Sequence, residues 1–440
     1  MTRLPLIALM AATLAVTGCG NREKILQGER LDPRAVLSPD GPAIEGAGGS
    51  VNAALTLPAM RANADWPQLA GGPAHNPGNL ALGAGTQPIW TNTIGQAAGK
   101  RHRITAEPVV AGGLIFTLDS RARVTATSQS GGTAWSVNLV PAGEIGESVS
   151  GGGLAYDGGR LFVTTGYGQL VAVDARSGGV IWRQSVESAI SGAPIVSGGT
   201  VYVMARNATG WAIRASDGRA LWQTGGTPAV AGVMGHATPA AQGNKVIFPF
   251  ASGQLLAMDS ASGEQLWSAQ VGGSRTGRAI GLLRDVGGDP VIVGNRVIAG
   301  TTSGHTAAFD LETGAMEWNA RNGAANNVTP AGNAIFAIND QAQLVRLDAA
   351  NGLPVWTINL PEFTDNKVKK QDRVYAHFGP TLAGGRLYVA STDGNLRVFD
   401  PRSGALIGRA DIPGGAAAAP VVAGQTLYVV TRSGHLVAYR

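Results

Sequence analysis

The sequence predicts an all-β protein, an eight-bladed β-propeller built from four-stranded antiparallel blades. Two observations lead to this prediction. A strand–turn–strand unit that ends in tryptophan recurs along the chain, and the chain ends with three strands that lack a fourth. A period of about 40–45 residues with four strands per unit is typical of propeller blades.

The clearest copy of the repeated unit is Val171–Trp182, in which a turn around Ser177-Gly178 separates two strands. Each copy closes at one equivalent position: Trp90, Trp135, Trp182, Trp222, Trp267, Trp318, Trp356 and Gly408. These positions use seven of the nine tryptophans, which makes coincidence untenable. We interpret them as structural repeat residues, because each indole offers a large apolar surface that a neighbouring blade can bury.

The two ends of the chain predict how the ring closes. After Gly408 the sequence supplies strands at 419–422, 425–430 and 435–439 but no fourth. Pro88-Ile89-Trp90 reads as a fourth strand without the preceding three. Joining the two ends completes an eighth blade from the N- and C-terminal strands and leaves no open edge there.

An aspartate recurs just before the turn of the unit, at Asp174, Asp259, Asp310, Asp348 and Asp400. These carboxylates could be ligands, but their identical place in each copy favours a structural role. Aspartate before a tight turn accepts hydrogen bonds from backbone N–H groups. The glycine four residues later supplies the positive φ that such turns need.

The N-terminus predicts export and lipidation. The apolar run Leu4–Val16 is too short to span a membrane and has the size of a signal-peptide core. It leads to Cys19, the single cysteine of the chain, in a context that resembles the lipobox of bacterial lipoproteins. We predict a signal peptide at 1–18, a lipidated flexible tether at 19–64 and the propeller at 65–440. A plain secretory signal with an unrelated cysteine is the alternative.

Composition argues against several other functions. The net charge of +5 is spread thinly, and the small cluster of Lys367, Lys369, Lys370 and Arg373 is typical of a solvated loop. We expect no nucleic-acid site, since such a site needs a basic stripe with aromatic stacking partners. The six histidines show no ligand spacing, and no nucleophile elbow or phosphate loop is present. The sequence therefore predicts no catalytic residue, no metal and no cofactor.

The tryptophan-containing repeats resemble the docking motif of PQQ-like propellers. That superfamily includes PQQ-dependent dehydrogenases and the BamB-type outer-membrane protein assembly lipoproteins. Many of the dehydrogenases need a vicinal cysteine pair and a calcium site, for which this sequence offers no residues. The lipobox, the tether, the lead-in Trp66-Pro67-Gln68 with His75-Asn76, and eight short blades are similar to the BamB-type family.

The resemblance implies a non-enzymatic scaffold, lipid-anchored in the outer membrane and facing the periplasm. Its implied partners are the POTRA domains of the barrel-forming subunit BamA, other Bam lipoproteins indirectly, and unfolded outer-membrane protein substrates. Two alternatives stay open. One is a PQQ-dependent dehydrogenase, and the other is a propeller that binds peptidoglycan or another envelope ligand.

The resemblance also implies where the partner binds. Family members carry an Asp-Val pair in a long connection between blades, and Asp285-Val286 matches it, with Gly287 where a second Asp is common. The predicted partner-binding residues are Asp285, Leu282, Leu283 and Arg284, with Val233 and Met234 in a companion loop. An apolar cluster fringed by charge suits docking. The alternative is that the leucines cap a blade edge.

Overall fold

The predicted propeller is confirmed. The computed structural model describes residues 54–144, 149, 151–190, 192–229, 238–273, 285–365, 367 and 370–440. Every strand found in these residues belongs to one of eight four-stranded antiparallel sheets, the blades. The described residues contain no helix long and apolar enough to cross a membrane.

The first strand of the chain, β1, is Pro88–Thr93. The next sixteen form blades 1 to 4 in chain order: β2 Val109–Ala111, β3 Leu114–Leu118, β4 Arg123–Ser128, β5 Thr133–Asn138; β6 Gly152–Asp157, β7 Arg160–Thr165, β8 Gln169–Asp174, β9 Val180–Ser185; β10 Ile195–Ser197, β11 Thr200–Ala205, β12 Thr209–Arg214, β13 Ala220–Gly225; β14 Ala240–Gln242, β15 Lys245–Pro249, β16 Gln254–Asp259, β17 Gln265–Gln270.

The remaining fifteen strands form blades 5 to 7 and three quarters of blade 8: β18 Gly288–Val293, β19 Arg296–Gly300, β20 Thr306–Asp310, β21 Met316–Ala320; β22 Thr329–Ala331, β23 Ala334–Ile338, β24 Gln343–Asp348, β25 Pro354–Asn359; β26 His377–Ala383, β27 Arg386–Ser391, β28 Asn395–Phe399, β29 Leu406–Asp411; β30 Val421–Ala423, β31 Thr426–Val430, β32 His435–Tyr439.

The two chain ends close the ring as predicted. Strand β1 pairs antiparallel with β32, with Trp90 opposite Ala438 and Thr93 opposite His435. The sheet order of blade 8 is therefore β1-β32-β31-β30. Because its outermost strand comes from the N-terminal side and its other three from the C-terminus, hydrogen bonds hold the ends of the propeller together.

Each blade runs from the axis of the ring to its rim. The first strands of neighbouring blades contact one another, as β2 contacts β6 and β10 contacts β14, so these strands are innermost. The fourth strands alternate between exposed and half-buried residues, for example in β9, as expected for a rim strand with one face packed. The apolar core lies between blades: one cluster combines Phe116 and Val124 of blade 1 with Leu161 and Val171 of blade 2.

The antiparallel order gives the ring two different faces. Turns between first and second strands, and between third and fourth strands, lie on one face, which we call the turn face. On the opposite face, the loop face, lie the turns between second and third strands and the ends of the connections between blades. These connections are residues 94–108, 139–151, 186–194, 226–239, 271–287, 321–328, 360–376 and 412–420.

Each repeated tryptophan joins its blade to the next one, in agreement with the prediction. The indole Nε1 donates a hydrogen bond to a carbonyl in the last turn of the following blade, and the ring packs on that turn's glycine. The pairs and distances are Trp90–Gln129 3.0, Trp135–Ala175 3.1, Trp182–Ala215 3.2, Trp222–Ser260 3.2, Trp267–Leu311 2.9, Trp318–Ala349 3.2 and Trp356–Pro401 3.3 Å.

The structure explains why blade 7 carries Gly408 in place of tryptophan. A tryptophan there would dock on the turn between the third and fourth strands of blade 8. Those strands, β32 and β1, come from opposite ends of the chain and have no turn between them. The eighth position therefore has no turn on which an indole could dock.

The repeated aspartates have the structural role that we expected. Asp174 Oδ1 accepts hydrogen bonds from the backbone N–H groups of Arg176, at 3.2 Å, and Ser177, at 2.8 Å. It also accepts one from the Ser177 hydroxyl at 2.7 Å. The Ser177 hydroxyl and backbone N–H are the main groups that lower the pKa of this carboxyl. Gly178 completes the turn with φ +78°.

Residues 54–86, which we call the strap, precede β1 and run across the turn face. They contain a short 3₁₀ turn at Leu69–Gly71 and bury Trp66, His75 and Leu80, each no more than 3% exposed. Their contacts with the ring begin at Ala54, inside the segment predicted as tether. Cys19 lies outside the described residues.

Candidate docking face

The candidate site is the part of the loop face where connection 271–287 joins blade 4 to blade 5. Its first residues are fixed to blade 5. Ser303 Oγ donates to the carbonyl of Gly273 at 3.2 Å, and Asn319 Nδ2 donates to that of Gly272 at 3.4 Å. The imidazole of His305 packs so closely on Gly273 that a side chain at that position would collide with it.

The last residues of the same connection are fixed at the same turn of blade 5. The backbone N–H of Thr302 donates to the carbonyl of Asp285 at 3.1 Å, and Val286 is fully buried in the core between blades 4 and 5. Both ends of the connection therefore meet at Thr301–His305. This turn therefore holds the base of connection 271–287, which we call the candidate docking loop.

Asp285 is itself buried, with 2% of its surface exposed. Gly287, two residues after Asp285, occupies the position where the BamB-type family often has a second aspartate. A Cβ atom there would overlap the Thr302 side chain and lie 3.1 Å from the carbonyl oxygen of Ala324. The packing of blade 5 thus leaves no room for an aspartate at 287.

The companion connection, 226–239, is anchored at both ends as well. At its start, the N–H of Gly226 donates to Ala208 at 3.0 Å, and that of Thr227 to Gln254 Oε1 at 2.9 Å. At its end, the Thr238 hydroxyl accepts a hydrogen bond from the N–H of Ala193 at 3.1 Å. The connection is held by blades 3 and 4 at these points.

Asp289 links the two connections. Its Oδ1 accepts a hydrogen bond from the N–H of Thr238 at 2.8 Å, and its own N–H donates to Asn327 Oδ1, in connection 321–328, at 3.2 Å. Asp289 is 2% exposed. A hydrogen bond to a buried carboxylate is strong, and together the two bonds hold connections 226–239 and 321–328 at the start of β18, directly after connection 271–287.

The structure therefore places only part of the predicted site. Asp285 lies at the base of connection 271–287, whereas Leu282, Leu283, Arg284, Val233 and Met234 lie outside the described residues. Sequence reasoning missed Asp289, Thr238, Ser303 and His305. The polar Asp289 directly before Pro290 in an otherwise apolar strand was the available signal.

A buried histidine fixes a third long connection, 360–376. His377 Nε2 lies 2.8 Å from the carbonyl of Pro361, and its Nδ1 lies 2.6 Å from Ser391 Oγ. A carbonyl only accepts, so Nε2 carries the proton and Nδ1 accepts from the serine. Burial lowers the pKa of His377, which favours the neutral ring. This histidine is a satisfied core residue, as the sequence suggested.

The hydrogen bonds described above form a rigid framework at the base of the loop face. Within the ranges that the structure describes, no three His, Cys, Asp or Glu side chains are grouped so that they could hold a metal ion. The exposed cations Lys367, Lys370 and Arg373 lie in connection 360–376, where the sequence predicted a solvated loop.

Comparison with known proteins agrees with the fold and the repeats. The family model described as outer membrane protein assembly factor BamB matches residues 120–358 and 365–440. The BamB of Yersinia pestis is 23% identical over 359 residues, covering 80% of this chain and 88% of the relative.

Solved structures show the same architecture. The crystal structure of BamB from Moraxella catarrhalis superposes with a TM-score of 0.66 at 21% identity, covering 81% of this chain and 99% of that one. Quinohemoprotein alcohol dehydrogenase from Comamonas testosteroni gives 0.65 at 14% identity, covering 85% and 80%. These likenesses show the propeller fold alone, whereas the family model covers most of the sequence. The chain belongs to the family of outer membrane protein assembly factor BamB.

Proposed function

We propose that this chain is a non-enzymatic, lipid-anchored scaffold of the β-barrel assembly machine. In this proposal Cys19 carries the lipid and the propeller lies in the periplasm at the outer membrane. The loop face docks on the POTRA domains of the barrel-forming subunit, and the complex assists the folding and insertion of outer-membrane proteins. This chain interacts with the other lipoproteins of the machine only indirectly.

The observation that carries the proposal is the fixed base shared by connections 226–239 and 271–287. Thr238, at the end of the first, is hydrogen-bonded to Asp289, two residues after the second, so the ends of the two connections lie side by side on one face. A preorganised base lowers the entropy cost of docking, because less ordering remains to be done on binding. Family membership supports the identity of the partner.

Asp285 enters the proposal as a support for the loop. Because the residue is only 2% exposed, a large substitution there would disturb blade 5 as well as the interface. The direct contacts are assigned to Leu282, Leu283 and Arg284, with Val233 and Met234 from the companion loop. The buried core of an interface is more apolar than its rim, and arginine is among the residues that most often dominate the binding energy.

The test is copurification with the barrel-forming subunit from cells, with crosslinking and mass spectrometry of all partners. Leu282→Glu combined with Leu283→Glu is expected to reduce the recovered subunit at least tenfold. The matched control is Leu406→Glu combined with Ile407→Glu, which places the same two charges on exposed apolar residues of the rim. Equal recovery of the subunit with both variants would show that these loops are not part of the interface.

A further inference from the structure

The strap contacts the innermost strand, or the turn that follows it, of every blade. The hydrogen bonds, from blade 1 to blade 8, are Trp66 N to Val110 O 2.6, Tyr156 N to Pro67 O 2.7, Val196 N to Gln68 Oε1 2.8, Ala241 N to Pro73 O 2.7, Ile292 N to Ala74 O 2.9, Thr56 N to Asn333 Oδ1 2.9, Gly384 N to Leu80 O 2.7 and Gly424 N to Asn63 O 2.8 Å.

Three consecutive strap residues bind three consecutive blades. Trp66 pairs with blade 1, Pro67 with blade 2 and Gln68 with blade 3. Since neighbouring Cα atoms are 3.8 Å apart, the three residues span about 7 Å at most. They therefore lie close to the axis, where the inner strands converge, and cap the axial channel at the turn face.

Several strap side chains act as substitutes for a paired strand. The Gln68 amide both donates to the carbonyl of Val196, at 3.0 Å, and accepts from its N–H. His75 Nδ1 lies 2.8 Å from the carbonyl of Pro290, and Asn63 Nδ2 donates to that of Val422 at 2.6 Å. These hydrogen bonds satisfy N–H and C=O groups on the inner edges of the first strands, which would otherwise be unpaired.

The strap is not needed to complete any blade. All 32 strands belong to their sheets without it, and β1, which closes the ring, begins after the strap ends. Near its C-terminal end the strap includes Gly83 and Ala84, which are exposed. The strap thus has the contacts of a bound peptide and one covalent connection to the ring.

We propose that the inner strand edges at the turn face form a binding site for an extended polypeptide, which the chain fills with its own residues 54–83. The filled site closes this end of the channel to other ligands and leaves the loop face as the accessible end. The inference is independent of the proposed function, because it concerns binding within one chain.

The test uses the full chain with a protease recognition sequence inserted between Gly83 and Ala84. The protein is cut after folding, and the fragment that ends at Gly83 is followed by size-exclusion chromatography. We expect it to remain with the ring, to be displaced by excess synthetic peptide of residues 54–83, and to be replaced by that peptide with saturable binding. Immediate loss without rebinding would overturn the proposal.

Matched peptides test whether recognition uses the contacts described. Gln68→Ala and His75→Ala peptides are expected to bind at least tenfold more weakly than the natural one. A Met60→Ala peptide, changed at a residue that is 61% exposed, is expected to bind equally well. Equal affinity of all the peptides, or unfolding of the ring as soon as the fragment leaves, would contradict a separable binding site.

Discussion

The indole Nε1 of Trp135 donates a hydrogen bond of 3.1 Å to the carbonyl of Ala175 in the next blade. Its ring lies against Gly178, where a Cβ atom would come within 2.7 Å of Cε3. This pairing of indole and turn recurs at seven of the eight blade junctions. Blade stability is therefore tied to the junctions as much as to the sheets.

Replacing the most buried of these indoles should be the most damaging. Trp318 is 1% exposed, and a Trp318→Ala change is expected to cost about 3–5 kcal/mol of unfolding free energy, since it leaves a large cavity. Trp182→Ala should cost less, because Trp182 is half-buried. Urea unfolding of the two variants measures the difference. Equal and small shifts would contradict a stabilising role of the junctions.

The turn glycine offers a test with a neighbouring control. Gly178 has φ +78°, and an added methyl would collide with the Trp135 ring. Gly178→Ala is expected to destabilise the protein by about 1–3 kcal/mol through backbone strain and loss of docking. At Gly179→Ala the nearest atom is Ser177 Oγ at 3.4 Å, so thermal unfolding should shift little. Similar shifts for both would argue against the junction model.

Glu107 gives the strap a dependence on pH. Its Oε2 accepts a hydrogen bond from the N–H of Ala70 at 3.1 Å, and burial raises its pKa from 4.5 to about 7. Because the folded value is the higher one, the protonated form favours folding. Its contribution is complete below about pH 4.5 and is lost as the pH rises through 7.

A Glu107→Gln variant should therefore gain stability relative to the natural protein as the pH rises. We expect its melting temperature to exceed that of the natural protein more at pH 8 than at pH 5. Thermal unfolding followed by circular dichroism at the two values checks this. A constant difference would show that the carboxyl titrates normally in the folded state.

His75 has the opposite dependence. Burial lowers its pKa from 6.5 to about 4, against the raising effect of the Pro290 carbonyl. The neutral ring is thus favoured in the fold, and its contribution, complete above about pH 6.5, is lost as the pH falls through 4. A His75→Gln variant should lose less of its melting temperature between pH 7 and pH 4.5 than the natural protein does.

Asp289 is expected to control the order of both docking loops. Asp289→Ala removes the acceptor of the Thr238 N–H, so that amide should exchange hydrogen faster and copurification should fall severalfold. Asp289→Asn keeps an acceptor oxygen and should behave closer to the natural protein. Hydrogen exchange with mass spectrometry checks the first effect. Unchanged exchange at Thr238 in the alanine variant would contradict the link.

The ring could be predicted from sequence because its signal repeats. Trp182 and Gly178 are informative only through their equivalents in other blades, and the count of copies fixed the number of blades. The exception at Gly408 was informative as well, because it marks the junction with blade 8, whose strands come from both ends of the chain. Repetition turned weak local patterns into one architecture.

The strap and the framework of the loop face could not be predicted in the same way. Gln68 pairs with Val196 across 128 residues, and Asp289 reaches Thr238 in another connection. Each contact occurs once, so no periodicity reveals it. Trp66-Pro67-Gln68 was noticed only through family resemblance, and its role became clear once the inner strand edges were seen beside it.

The strap also determines on which face of the ring the N-terminal part of the chain joins the propeller. Asn333 on the turn face donates a hydrogen bond to the carbonyl of Ala54, so the last residues of the predicted tether, 19–64, contact the ring. If residues 19–53 behaved as a random coil, their 35 residues would have a root-mean-square span of about 30–35 Å. Under the proposed lipidation of Cys19, such a span would place the turn face towards the bilayer and the loop face away from it.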